Sequence, residues 1–322
     1  MHGGSVEVER LRKTFGEKTA VDDVSFGVAP GTVLGLLGGN GAGKTTMVNC
    51  LSTLLPLDGG RAVVAGHDVT DDPAGVRASI ALTGQFAAVD DVLTGRQNLV
   101  LFGRLLKLGR REAAARAAEL LAGFGLADAA DQPVKSYSGG MRRRLDLAAS
   151  LVVRRPVIFL DEPTTGLDPA GRREMWGVVS GLCDDGATLL LTTQYLEEAD
   201  RLADRIVVLD QGRVIAEGTP RELKDQVGGA VCAVHVDVPE QRERAVRALR
   251  DRMDGVTESG DLITVPGADA GTLTEVVRVL TEAGVEPDDV GLRRPTLDDV
   301  FFSLTGRREE SEEQEEQEGT RL

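Results

Sequence analysis

Apolar positions fall into two registers along the chain. Four short runs, Val33–Leu37, Val157–Leu160, Thr188–Thr193 and Ile206–Leu209, have strand length and no polar alternation, the pattern of strands buried on both faces. Elsewhere the residues alternate. Val6 and Val8 are separated by Glu7 and followed by Glu9, which predicts a half-solvated strand, with a second near Val24–Val28. Short strands are expected at Arg61–Val64, at Ile80–Gln85 ending in a polar loop, and at Val214–Ala216 after the Asp210-Gln211-Gly212 turn. Beyond Gln85 the strand runs stop. Thr94-Gly95-Arg96-Gln97 reads as a capping box for a helix continuing through Leu108. Arg111–Phe124 is rich in alanine and leucine, with Arg111, Glu112, Arg116 and Glu119 available to face water. This stretch predicts a helical insertion into an α/β domain.

The pattern changes after Pro220. Residues 221–229 read as a helix end and linker. A strand (Ala230–Val238), a helix (Gln241–Met253), a strand (Leu262–Val265) and a helix (Thr272–Ala283) then predict a small α+β unit. A last helix starts at Thr296, with Asp299 three residues on as a weak capping box. Leu297, Val300, Phe301 and Leu304 follow the i, i+3, i+4, i+7 rule and form a stripe that must pack on something, either a homodimer partner or the accessory fold. The expected layout is a domain over 1–220 with a helical part at about 92–150, a linker at 221–229, an accessory domain at 230–306, and a disordered Glu-rich tail at 307–322.

Composition narrows the function classes. Net charge is −15 with a pI near 4.8, which argues against nucleic acid as the main partner. No apolar run approaches a membrane span, and the start lacks a basic and apolar leader. Cys50, Cys183 and Cys232 are widely spaced, which suits a reducing compartment and gives neither a disulfide framework nor zinc spacing. His2, His67 and His235 do not cluster, so a metal site of protein side chains alone is not expected; His67 reads as a surface turn residue.

Two stretches carry chemistry. Gly38-Gly39-Asn40-Gly41-Ala42-Gly43-Lys44-Thr45-Thr46 has the spacing G-x-x-x-x-G-K-[ST] behind an apolar strand, the phosphate-binding P-loop. Its glycines let successive N–H groups point at phosphate oxygens, and the following helix adds its N-terminus. Lys44 can reach the β- and γ-phosphates, and the Thr45 hydroxyl can ligate Mg²⁺. The second stretch is Val157–Glu162. Asp161 stands at the end of a buried strand, where it can support the Mg²⁺ ligands, and Glu162 can polarise an attacking water. Ser138-Gly139-Gly140 ahead of a helix is another possible phosphate cradle. Arg142, Arg143 and Arg144 read as a solvated or subunit-facing surface. Phe15 could stack on a base or belong to a core; spacing alone leaves both open.

In this order the motifs resemble the ATP-binding subunit of an ABC transporter over roughly residues 5–220. Gly38–Thr45 is similar to Walker A, Gln85 to the Q-loop glutamine, and Tyr137-Ser138-Gly139-Gly140-Met141 to the signature. Val157–Glu162 is similar to Walker B with its glutamate, and Gly166-Leu167-Asp168 to the D-loop. The resemblance implies a P-loop NTPase core with an antiparallel β subdomain and a helical insertion, and ATP with Mg²⁺ as cofactors. Phe15 falls at the adenine-stacking position, and Thr45, Gln85 and Asp161 fall at the Mg²⁺ positions. It further implies a head-to-tail homodimer in which Ser138-Gly139-Gly140 of one copy closes over ATP on the other. Asp168 would couple the two sites, and a separate integral membrane permease would dock near Gln85. Localisation would be peripheral, on the cytoplasmic side of the cell membrane.

This chain departs from the pattern at four positions: the switch residue, usually histidine, is Gln194; Gly39 stands where proline is common; and in the signature Tyr137 replaces leucine and Met141 replaces glutamine. A glutamine amide can donate to a γ-phosphate oxygen but cannot become cationic. The Thr-Thr-Gln-Tyr-Leu-Glu-Glu-Ala-Asp run around Gln194, the size of the C-terminal domain, and Arg293–Phe301 resemble the daunorubicin/doxorubicin-resistance exporter ATPases. Rival readings are an ABC ATPase for another cargo (a lipid, a polysaccharide or an imported solute) and a soluble non-transport ABC ATPase.

Overall fold

The four unbroken apolar runs become neighbouring strands of one sheet. The computed structural model describes residues 5–83, 89–184, 186–226, 231–267, 269–293 and 295–305. The chain runs β1 (Val6–Phe15), β2 (Lys18–Val28), β3 (Val33–Leu37), α1 (Lys44–Leu51), β4 (Gly59–Val64), β5 (His67–Asp68), α2 (Pro73–Ser79), β6 (Ile80–Thr83), α3 (Gly95–Leu105) and α4 (Arg110–Gly123). It continues through α5 (Gly139–Ser150), β7 (Val157–Asp161), α6 (Pro169–Asp184), β8 (Thr188–Thr193), α7 (Leu196–Leu202), β9 (Arg205–Asp210), β10 (Arg213–Gly218) and α8 (Pro220–Gln226). The remainder is β11 (Val231–His235), α9 (Pro239–Arg250), β12 (Thr257–Ser259), β13 (Leu262–Pro266), α10 (Ala270–Glu282), β14 (Asp289–Arg293) and α11 (Leu297–Thr305). Two compact units meet in sequence at Pro220 and Arg221.

In the first unit the larger sheet has the order β10-β9-β3-β8-β7-β6. Its pairings are parallel apart from β10, which runs antiparallel to β9. Every residue of β3, β7 and β8 is buried, which is why these strands carry no polar alternation. A second, antiparallel sheet is ordered β2-β1-β4-β5. One apolar cluster joins the two sheets through α1: Met47, Val48 and Leu51 pack with Val6, Val24 and Val64 from one sheet and with Leu36 and Phe159 from the other. The P-loop helix is thereby gripped from both sides.

β1 runs five residues beyond Arg10, past register shifts after Val8 and Leu11. Its Lys13 is turned inward and paired with Asp58 at 2.9 Å. The Thr94 capping box forms, with reciprocal bonds to Gln97, but α3 stops at Leu105 rather than Leu108. His67 lies in the two-residue strand β5, and its Nδ1 is 2.7 Å from Asp72 Oδ2, so it is a tethered residue rather than a free turn side chain. α2 and α7 were not anticipated; at seven residues each they are too short to show a period.

The second unit follows β11-α9-β12-β13-α10-β14 with sheet order β12-β13-β11-β14, a ferredoxin-like βαββαβ arrangement. Cys232, Val234, Ile263 and Val265 on the sheet pack with Val246, Leu249, Val276 and Leu280 on α9 and α10. The short polar strand β12 lacks the apolar alternation that would have announced it, and β14 offers only Val290 and Leu292 as alternating apolar positions. The segment read as helix end and linker contains α8. The acidic tail lies outside the described residues.

Candidate functional site

The chain leaves β3 through the glycine-rich loop and enters α1 at Lys44. Gly38 must be glycine on packing grounds, because a Cβ there would sit 2.4 Å from the Leu209 carbonyl oxygen. Gly43 has φ +106, a conformation L side chains rarely adopt, and a Cβ would meet Ala20 O at 2.5 Å. Gly39 has open space around it, so the residue that stands where proline is common imposes no steric demand. The loop, together with Thr45, Thr46, Phe15, Lys18, Ala20 and Glu162, lines a cleft of about 320 Å³. Asn40, Gly41, Ala42 and Gly43 all face it. Phe15 is 48% exposed at the end of β1, which excludes a core role and leaves its ring at the cleft wall.

The two motif stretches converge. Lys44 is only 4% exposed; its Nζ donates to Gly38 O (2.7 Å) and Gly39 O (3.1 Å) and lies 3.3 Å from Glu162 Oε1. Thr45 Oγ1 donates to Asp161 Oδ1 at 3.3 Å. Burial pushes the Asp161 carboxyl above its ordinary range, Glu162 adds to the rise, and the bonds from Thr192 and Thr45 together with the Lys44 charge oppose it. Thr45 and Asp161 thus present two hard oxygen donors side by side, and a divalent cation there would offset the cost of burying Asp161. The donor set fits Mg²⁺.

Glu162 is 9% exposed and carries φ +48, a left-handed conformation that costs a non-glycine residue roughly 1–2 kcal/mol. Its N–H is held by Thr192 O (3.1 Å) and Thr192 Oγ1 (3.0 Å), and its Oε2 accepts from Thr165 Oγ1 at 3.2 Å. The turn sets its carboxylate beside Lys44 rather than along the strand direction.

Ser138 caps α5, accepting the Met141 N–H at 3.2 Å. Ser138 and Gly139 are exposed, Gly140 is half-buried, and none of the three lines the P-loop cleft. Gln194 follows β8 and is half-buried; its neighbour Tyr195 is covered by the Arg172 guanidinium, 4.2 Å from the ring centroid. Gln85 lies outside the described residues.

Sequence reasoning missed several site residues. Thr192 bonds both acids of the β7 end, and its signal was a threonine directly after the three leucines of β8. Glu198, fully buried, accepts from Trp176 Nε1 at 3.1 Å. The three arginines do not share one face. Arg142 pairs with Asp91 (2.8 Å) and Arg144 with Glu174 (3.2 Å), while Arg143 bonds main-chain oxygens after β7, because successive helix positions point in different directions.

A family model for ABC transporters matches residues 21–165. The chain is 56% identical over 320 residues to the daunorubicin resistance ATP-binding protein DrrA2 of Streptomyces coeruleorubidus, covering 98% of this chain and 99% of that one. It is 39% identical to the Nod factor export ATP-binding protein I of Ralstonia nicotianae, over 94% of each. Among solved structures it resembles an ATP-binding subunit of an ABC transporter (28% identity, TM-score 0.61, covering 69% of this chain and 92% of that one). It also resembles a dimeric ATP-binding cassette in a post-hydrolysis state bound to ADP and phosphate (25% identity, TM-score 0.60, covering 66% and 98%).

Proposed function

Because this chain belongs to the ATP-binding, ATP-hydrolysing subunits of ABC transporters, closely related to the daunorubicin/doxorubicin-resistance proteins, we propose that it powers export of an anthracycline-type antibiotic through a separate membrane-spanning partner. The observation that carries the cargo is the end-to-end 56% identity to a daunorubicin resistance protein, which takes in the C-terminal unit as well as the ATPase unit. No helix among the described residues is long and apolar enough to cross a membrane. We place the protein on the cytoplasmic side of the cell membrane as a peripheral subunit.

The geometry of the described residues supports the following roles. The Gly38–Gly43 loop and Thr46 wrap the phosphates, Lys44 binds the β- and γ-phosphates, and Phe15 stacks on the adenine. Thr45 and Asp161, with Gln85, would hold Mg²⁺, which when bound neutralises charge on the phosphate oxygens. Lys44 must exchange Gly38 O and Gly39 O for phosphate, a charge-assisted bond that favours the exchange. Glu162, aimed into the cleft by its left-handed backbone, accepts a hydrogen bond from water and orients it for in-line attack. Gln194 donates to the γ-phosphate. Ser138, Gly139 and Gly140 do not line their own cleft, and Ser138 and Gly139 are exposed, which suits contact with ATP on a second copy. The dimeric cassette among the structural relatives supports a homodimer, with Asp168 at the junction.

The test is ATPase and transport activity of the chain reconstituted with its membrane partner, with Glu162→Gln as the inactive control. Hydrolysis stimulated by an anthracycline, and transport lost in the control, is expected. Hydrolysis that ignores anthracyclines would move the cargo elsewhere; the 39% identity to a Nod factor export protein makes export of a Nod factor-type molecule the second reading.

A further inference from the structure

Arg143 lies on α5, one helical turn beyond Ser138-Gly139-Gly140, and its guanidinium bonds main chain. Nε donates to Pro163 O at 3.0 Å, and Nη2 donates to Glu162 O at 2.9 Å and to Asp161 O at 3.4 Å. These three consecutive carbonyls lie where the chain leaves β7 and turns through the left-handed conformation of Glu162. The Glu162 N–H is bound from the opposite side by Thr192 on β8. Both main-chain groups of this residue are therefore fixed, one by the sheet and the other by the helix that begins at the signature turn.

We propose that Arg143 is a positioning residue that holds the strained Glu162 peptide in register and ties it to the signature turn of the same chain. A planar fork spans diverging carbonyls that an ammonium can meet only as a point charge. The inference rests on the reading of Glu162 as the residue that orients water and of Ser138-Gly139-Gly140 as the contact to ATP on the second copy. On that reading the two ends of this tie serve different nucleotides. Engagement of the signature turn at one site is then transmitted, over one turn of helix and three hydrogen bonds, to the backbone that aims Glu162 at the other.

The experiment uses the full chain with its membrane partner and compares Arg143→Lys, Arg143→Ala, Glu162→Gln and the Arg143→Ala/Glu162→Gln double variant in ATP hydrolysis. Arg143→Lys is expected to lower kcat about ten-fold or more while KM for ATP moves less than about two-fold, because only the aim of Glu162 is lost. Arg143→Ala is expected to leave the residual rate of Glu162→Gln unchanged, since the residue acts through Glu162. A wild-type kcat in Arg143→Lys overturns the proposal. So does an Arg143→Ala loss that appears at full size in the Glu162→Gln background. Should Arg143→Ala not fold, Arg143→Lys enters the double variant in its place. Full activity in Glu162→Gln alone would instead strike the reading of Glu162.

Discussion

Thr192 Oγ1 donates to Asp161 Oδ1 across 2.6 Å and accepts the Glu162 N–H at 3.0 Å. One hydroxyl on β8 thus holds both acids at the end of β7. Thr192→Val keeps the shape and removes the hydroxyl, leaving a buried carboxylate oxygen short of a donor. A hydrogen bond to a charged group is worth about 2 kcal/mol, so the variant is expected to lose about that much unfolding free energy. It should also hydrolyse ATP more slowly, because Glu162 keeps only its main-chain tether to β8. Denaturant unfolding followed beside the ATPase rate checks this; a stability within 0.5 kcal/mol of wild type would remove Thr192 from the site.

Gln194 can donate to a γ-phosphate oxygen through an amide whose charge does not change with pH. Gln194→Ala is expected to slow hydrolysis by on the order of 10²-fold, the effect of deleting one preorganised donor. Gln194→His should recover much of the rate and acquire a dependence on pH across the imidazole range that wild type lacks. Full-rate hydrolysis by Gln194→Ala would end the assignment.

Glu198 is buried, and burial pushes its carboxyl above the ordinary glutamate range; the hydroxyls of Thr193 and Thr164, the Trp176 N–H and the Arg172 charge pull the other way. The folded chain therefore keeps a proton that the unfolded chain has already released. Stability attributable to this group is present below the ordinary glutamate pKa and declines as pH rises toward the raised value. Glu198→Gln cannot titrate. Relative to wild type its stability should improve as pH rises above the ordinary glutamate range, as read from denaturant midpoints. Parallel profiles for the two proteins would show that Glu198 is not held protonated.

Asp299 closes the start of α11. It accepts from Thr296 N and Thr296 Oγ1, both at 2.8 Å, and from Arg293 Nη2 at 2.9 Å, while its own N–H reaches Thr296 Oγ1 at 3.3 Å. This is the capping box read at Thr296, with an aspartate in the glutamate position. Asp299→Ala is expected to cost about 1 kcal/mol, which speeds amide exchange in α11 by about five-fold. Unchanged exchange would mean that the helix is held by its buried Leu297 and Val300 instead.

The P-loop and the β7 end were legible because phosphate chemistry and packing both dictate residue type there. Gly38 meets a carbonyl and Gly43 a positive φ, while Lys44 and Thr45 open a helix and Asp161 and Glu162 follow the four apolar residues of β7. Arg143 was illegible for the opposite reason. A run of three arginines reads as charge facing water, and only the fold reveals that one of them meets bare carbonyls 18 to 20 residues downstream. β12 escaped notice because Thr257-Glu258-Ser259 is polar throughout, and β14 because Val290 and Leu292 give only two alternating apolar positions.

The order of strands also bears on how this chain is made. β3 precedes β8 and β9, its only neighbours in the sheet, by about 150 residues. At a synthesis rate of about 5–20 residues per second, the apolar strand that launches the P-loop waits roughly ten seconds or more before either partner exists. Its strand pairings are all long-range, so closing the sheet is a late and slow event. During that interval Val33–Leu37 is an unpaired hydrophobic edge, which makes the nascent ATPase unit a natural client for chaperones.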